Sequence, residues 1–309
     1  MKKLLLHFVR FGPYHLARLR SAQRALKPLG WQVKGLEICS SDSTYLWNES
    51  GRLVTSAGVG DQDDESERLS ITTVFPGGHY ESLGSSQSRE EIQHALDRDA
   101  PDAVAIAGWA SLDARGCLKG CLRHKRPTIL MSETRRVDGN RVWWKESLKG
   151  RLIKKYDAAL VGAKSHADYL QQLGFPAESI SDGYNVVDDE FFATRSSEIR
   201  RQHVAKCQGF FLCSNRFVEI KNLDRAIRAF AGLDQSNTEE GPWHLCLLGD
   251  GPLMNDLTSL AAELGLDAKQ CAPWEDDVPV STRPTVYFPG FAQLRCAFCI
   301  QRFGSPGGV

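Results

Sequence analysis

Twice along the chain, short apolar runs alternate with longer stretches whose apolar residues recur at helical spacing, and this alternation restricts the fold more than any other feature. Residues 3–9 (KLLLHFV) read as a strand, Phe11-Gly12-Pro13 as a turn, and 14–29 as a helix. Leu16, Leu19, Ala22, Leu26 and Leu29 share one face of that helix, Gly30 ends it, and 31–38 form a second strand. Strand, glycine turn, helix, strand is the opening of a right-handed parallel unit. The pattern predicts further strands at 71–75, 103–107, 128–131 and 157–161, and helices at 89–97, 112–124 and 165–173. Residues 39–70, with Asp61, Asp63, Asp64, Glu65 and Glu67 close together, read as a solvated excursion, and Gly77, Gly78 and Gly84 as a loop. Pro176, Asp182-Gly183 and the acidic triple Asp188-Asp189-Glu190 break the rhythm, so 176–204 read as a junction. A second series follows, with strands at 209–214, 244–248 and 285–288 and helices at 223–233 and 253–264. The expected fold is α/β, two doubly wound Rossmann-like lobes spanning 1–190 and 205–309, the second incomplete with about three strands.

A chain of 309 residues suits two such lobes, and 42% hydrophobic with 25% charged residues can fill their cores, which excludes a disordered chain. Lys+Arg and Asp+Glu both number 38, so a chain-wide nucleic-acid footprint is excluded. No run approaches the roughly 20 apolar residues of a membrane span. The opening MKKLLLHFVRF imitates a signal peptide, but its apolar run is short, is broken by His7 and Arg10, and lacks a cleavage site. Nine cysteines without a regular framework fit a reducing cytosol. The acceptor-like Asn48-Glu49-Ser50 and the lone C-x-x-C of Cys296 and Cys299 read as chance, and no metal site is expected.

The second series carries the clearest chemical signal. Ser214-Asn215-Arg216 follows a strand, and Lys221 stands just before a helix. Cations at the carboxyl end of a parallel strand face the usual ligand crevice and can neutralise a departing diphosphate. The alternative is two solvated cations near a helix start, where positive charge is slightly unfavourable. Leu248-Gly249-Asp250-Gly251-Pro252 follows the next strand and opens a helix. Its glycines either let backbone N–H groups approach a phosphate or sugar, or simply make a tight turn. Met254 stands where a dinucleotide fingerprint wants a third glycine, which argues against nicotinamide chemistry.

The runs SNRFVEIKNLDRAIRAF, LLGDGPL, AAELGL and VYFPGF, in this order, resemble the donor domain of the GT-B glycosyltransferases of family 4. VGAKSHADYLQQLGFPAESISDGYNVVDDEFF is similar to the end of that family's acceptor domain, and RFGPYHLARL to the first glycine loop of one branch. The resemblance implies a GT-B fold and a retaining glycosyltransferase, a hexosyltransferase-like enzyme that moves a sugar from a nucleotide-sugar donor to a hydroxyl acceptor on a surface polysaccharide or glycolipid. It implies no cofactor and no metal. By position, it gives Arg216 and Lys221 the donor phosphates, with Asn215 beside them, Gly249 and Gly251 the loop near the donor, and Gly12 the first loop lining the cleft.

This sequence departs from the family's pattern twice. Ser132-Glu133-Thr134 replaces a histidine that many relatives carry at the sugar site, which offers Glu133 for an acceptor-side polar role. Residues 294–309 match nothing in the family, and its pair of glutamates seven residues apart is missing. The expectation is therefore a truncated or frameshifted donor domain with low activity. The rival reading is a catalytically inactive binding or interaction protein of glycosyltransferase descent.

A basic band supplies the last signal. From Arg115 to Lys155 there are 13 Lys/Arg, opposed only by Glu133, Asp138 and Glu146. Within residues 141–155, Trp144, Leu148 and Leu152 form one helical stripe. The band is read either as peripheral contact with an anionic membrane at the inner face, with Gly150 interrupting the helix, or as a core-packed helix with a solvated back. Nucleic acid is not an expected partner. Asp61-Gln62-Asp63 and Asp97-Arg98-Asp99 imitate a metal-binding D-x-D, but neither follows a strand. The chain is expected to be cytoplasmic.

Overall fold

The computed structural model describes residues 1–41, 69–202, 210–233, 242–270 and 283–289. The acidic run at 61–67, the 48–50 sequon and the tail from 290 onward, with Cys296 and Cys299, lie outside the described residues. The chain divides into two compact units, Met1–Asp189 and Glu190–Val309.

The first unit is built on seven parallel strands: β1 (Lys2–Phe8), β2 (Trp31–Ser41), β3 (Ile71–His79), β4 (Ala103–Ala107), β5 (Thr128–Ser132), β6 (Ala158–Val161) and β7 (Ile180–Asp182). Their order is β3-β2-β1-β4-β5-β6-β7. The chain starts in the middle, runs to one edge through β2 and β3, then returns to lay β4 beside β1. The loops after β1 and β4 therefore diverge at a topological switch point. Helices α1 (Pro13–Leu26), α2 (Ser85–Asp99), α3 (Leu112–Arg123), α4 (Trp143–Ile153) and α5 (Lys164–Gln172) fill the crossovers.

The apolar run of β1 is continuous because both sheet faces are covered. Leu5 packs with Ile92, Leu96 and Leu118 in one core, while Leu6 and Phe8 pack with Leu16 and Leu19 in the other. Gly30 sits at φ +79 and closes the 3₁₀ turn that extends α1. Gly77, expected in a loop, lies inside β3, and β7 is a three-residue strand too short to show a period. Gly150 does not interrupt α4. It is buried there, and a Cβ on it would come 2.6 Å from the Leu173 carbonyl oxygen, so its missing side chain lets the helix pack close.

The second unit holds α6 (Asp189–Gln202), β8 (Phe210–Ser214), α7 (Leu223–Ala231), β9 (His244–Leu248), α8 (Met254–Glu263), β10 (Asp267–Lys269) and β11 (Thr285–Tyr287). Its four described strands run parallel in the order β10-β11-β9-β8, one more than expected. The acidic triple read as breaking the pattern instead begins α6, where acids favour the positive end of the helix dipole. Leu223, Ile227 and Phe230 of α7 recur at i, i+4 and i+7 and pack with Leu257 and Ala261 of α8 against Leu245 and Leu247. Among the described residues β8 forms one edge of the sheet, with Phe211 and Leu212 partly exposed. No described helix is long and apolar enough to cross a membrane.

Candidate functional site

In the second unit, the loops after β8 and β9 are locked together backbone to backbone. Asn215 N–H donates to the Leu248 carbonyl at 3.0 Å, Phe217 N–H to that of Asp250 at 2.8 Å, and Leu253 N–H to that of Phe217 at 3.1 Å. Gly249 N–H reaches across to the Pro289 carbonyl at 3.1 Å. Phe217 is fully buried and meets the Phe288 ring edge-on at 6.4 Å. Anchoring Phe217 inward turns its neighbour Arg216 outward, and both Arg216 and Lys221 are exposed. Lys221 ends the 3₁₀ turn Glu219–Lys221, and Asn222, at φ +50, turns the chain into α7. The two cations thus share one short loop at the carboxyl end of a parallel strand, where open α/β sheets take ligands.

Gly249 and Gly251 have a reason for being glycine that sequence reasoning did not supply. Both sit at positive φ, +154 and +153. A Cβ on Gly249 would land on the Asn215 carbonyl oxygen, and one on Gly251 would lie 2.6 Å from that of Phe217. Their bareness lets the β8 and β9 loops touch, which fixes where Asn215, Arg216 and Lys221 stand.

In the first unit, Gly12 caps α1 in extended conformation (φ −84, ψ 177), and its N–H faces His15 Nδ1 at 3.3 Å. The loop before it is held by Glu37, a fully buried carboxylate inside β2. Glu37 accepts from Phe11 N–H at 2.8 Å and from Thr73 Oγ1 at 2.9 Å. Glu133 follows β5, is partly exposed, and lies 3.9 Å from Arg18 Nη1. Arg18 also donates to Asn185 Oδ1 at 2.7 Å and stacks over the Tyr184 ring at 4.6 Å. Burial pushes the Tyr184 phenol up to about 12, against the opposing pull of Arg18. Arg18 therefore joins α1 to the residues that follow β5 and β7, and Glu133 belongs to that cluster, while Gly12 contacts His15 and Leu16 of its own helix.

A buried ionic centre lies at the carboxyl end of β1. His7 Nε2 is 3.1 Å from Asp113 Oδ2, and Tyr80 donates to Asp113 Oδ1 at 2.6 Å. Burial works against the Asp113 charge, yet His7 beside it and the Tyr80 hydroxyl that donates to it hold its carboxyl at about 2. Burial also opposes the His7 charge, but Cys117 and Asp113 beside it carry its pKa above the usual range. The sequence signals were a histidine inside an apolar strand and an acid in the first turn of a helix; neither named its partner. Asp97 and Asp99 of the D-x-D-like triplet take different partners: Asp97 lies 3.2 Å from His124, and Asp99 accepts from Thr72 at 3.1 Å.

Residues 195–280 match the family model of the glycosyl transferases group 1. Asn215, Arg216, Lys221, Gly249 and Gly251 all fall inside that span. No curated protein matches the chain. Among solved structures, the chain is similar to Anabaena Alr3699/HepE in complex with UDP and glucose, with a TM-score of 0.60 at 14% identity over 94% of this chain and 70% of that one. It is also similar to the lipopolysaccharide outer core galactosyltransferase WaaB (0.52 at 13%, covering 98% and 71%). A third is the UDP-GlcNAc 2-epimerase from Neisseria meningitidis bound to UDP-GlcNAc (0.54 at 12%, covering 94% and 72%). At such identities the likeness is one of fold. The chain is thus an α/β protein of GT-B type with two Rossmann-like lobes, and its second unit carries a region matching the glycosyl transferases group 1.

Proposed function

We propose that the chain is a glycosyltransferase that moves a sugar from a nucleotide-sugar donor to a hydroxyl acceptor with retention of anomeric configuration. The observation that carries this reading is the loop 215–221, which presents two cations at a parallel strand's carboxyl end inside the matched span. Arg216 and Lys221 would stabilise the negative charge that grows on the diphosphate as the sugar bond breaks. An arginine can bind two phosphate oxygens at once, and a lysine adds a point charge. In this reading Gly249 and Gly251 set the loop position against which the donor lies; the role of Gly12, in the first unit, rests on the family resemblance alone. Glu133, positioned by Arg18, takes an acceptor-side polar role. The absence of a metal requirement rests on the family resemblance, and so do the hexose donor and the polysaccharide or glycolipid acceptor. The place of action is the cytoplasm.

Similarity of fold to an epimerase means that binding a nucleotide sugar alone does not identify the reaction. The test is a panel of nucleotide sugars in a thermal-shift assay, followed by product analysis with the binding donor. One nucleotide sugar is expected to stabilise the protein, and Arg216→Ala to weaken its binding about 10–100-fold, the worth of a charge-assisted contact. Sugar transferred to an acceptor or to water supports the proposal. Epimerised donor as the only product, or binding unaffected by Arg216→Ala, overturns it.

A further inference from the structure

α4 has an inner face that packs and an outer face that does not. Gly150 and Ile153 are buried, and Glu146 and Lys149 turn inward to Tyr169, whose hydroxyl donates to Glu146 at 2.7 Å. On the outer face Trp143 is 82% exposed, Trp144 48% and Leu148 54%. Val137, 79% exposed, lies in the 3₁₀ turn just before. Arg141 ties that turn to the start of the helix: it donates to the Arg136 carbonyl at 2.8 Å and to that of Arg135, and stacks over Tyr169 at 4.6 Å. The apolar residues are therefore presented from one braced segment. The exposed back is thus not only polar: large apolar side chains stand on it among the cations, which a solvated helix face alone does not explain.

The charge around these side chains is one-sided. Residues 135–155 carry eight Lys/Arg against two acids. Both acids already have cationic partners, Asp138 with Arg135 at 2.8 Å and Glu146 with Lys149. Arg136, Lys145, Arg151, Lys154 and Lys155 are exposed on the same segment, and Lys145 lies over the Trp144 ring at 5.4 Å. Indole rings favour the boundary between headgroups and acyl chains, and lysine or arginine beside them meets anionic headgroups.

We propose that this face, Val137 with Trp143, Trp144, Leu148 and the surrounding cations, docks on an anionic lipid bilayer. The surface uses none of the residues assigned to sugar transfer, so its test reads vesicle binding rather than activity. Charge complementarity selects the lipid surface over a neutral apolar partner: the segment that exposes the tryptophans also exposes five cations, and both of its acids are already paired.

The test is co-sedimentation of the full chain with vesicles of phosphatidylcholine containing about one-third phosphatidylglycerol, beside vesicles of phosphatidylcholine alone. Binding is expected only to the anionic vesicles at about 0.1 M salt, and is expected to fall steeply at about 0.5 M as screening shortens the reach of each charge. Arg151→Glu with Lys155→Glu should weaken binding by at least about fivefold per cation removed. Trp143→Ser with Trp144→Ser should weaken it about tenfold or more and abolish quenching of tryptophan fluorescence by brominated lipid. Both sites are solvent-exposed, so the thermal midpoint should stay unchanged. No binding to anionic vesicles overturns the proposal. So does binding lost with the charges but indifferent to the tryptophans, which would be adhesion to any polyanion. A dimer that the tryptophan pair alone disrupts, without vesicle binding, would make the face an interface between copies and also overturn it.

Discussion

At the scale of single residues, the polar groups that matter most are buried carboxylates whose partners are distant in sequence. Glu37 ties β2 to the loop before Gly12, and Asp113 ties α3 to His7 and Tyr80. The His7–Asp113 pair makes stability depend on pH with a definite sign. The Asp113 pKa is depressed from 3.8 to about 2, so its contribution is present above about 4 and lost as pH falls towards 2. The His7 pKa is raised above 6.5, so its contribution is complete below 6.5 and lost as pH rises through the folded value. The pair therefore stabilises most between those limits. Asp113→Asn should cost about 3 kcal/mol near pH 6, because it leaves a buried histidine without its counter-charge. Urea midpoints measured from pH 3 to pH 9 check this: both limbs should flatten in the variant, and parallel curves for variant and parent would contradict the assignment.

At the scale of elements, glycine decides how closely helices and loops approach. On α3, a Cβ at Gly116 would meet Ile92 Cδ1 at 3.5 Å, an ordinary contact, at negative φ. Gly116→Ala should stabilise by about 0.5–1 kcal/mol through helix propensity. Gly249→Ala should do the opposite. It forces a side chain into a positive-φ backbone and onto the Asn215 carbonyl, a loss of about 3 kcal/mol or more confined to the second unit. Denaturation of the two variants distinguishes them by sign. The sequence showed that 249 and 251 were glycine turns next to Arg216, but not that the turn's partner was the 215–217 loop, because such a contact depends on strand order. The long elements were legible because a strand or helix writes its period locally, as in β4, β9 and α3. β7 and β10 were not, since three residues hold no period and, unlike the equally short β11 with its buried Val286 and Tyr287, they carry polar residues and are not buried. α6 was missed because acids at a helix start look like a break in apolar rhythm. In α4 the helix was legible, but the direction of its stripe was not: tryptophan and leucine at helical spacing suit either a membrane surface or the core, and only the packing of Gly150 and Ile153 shows which side is in.

At the scale of the molecule, each unit has its own core: one set of apolar residues ends by Tyr184, and the other begins with Cys213. The proposed phosphate-binding loop belongs wholly to the second core, through Phe217. A nucleoside diphosphate that binds there should therefore act first on the unfolding of that unit. A ligand that binds only the native form stabilises it by about 2.7 kcal/mol at a hundred times its dissociation constant. With saturating UDP or GDP, amide hydrogen exchange should slow most in β8, β9 and the loops at 215–221 and 249–253. Arg216→Ala together with Lys221→Ala should remove that protection while leaving exchange without ligand unchanged, since both side chains are exposed and neither fills the core. Protection that survives the double substitution would place the diphosphate elsewhere. Protection confined to β1 and α1 would shift it to the Gly12 loop, and the two cations would then be surface charges with no part in the chemistry.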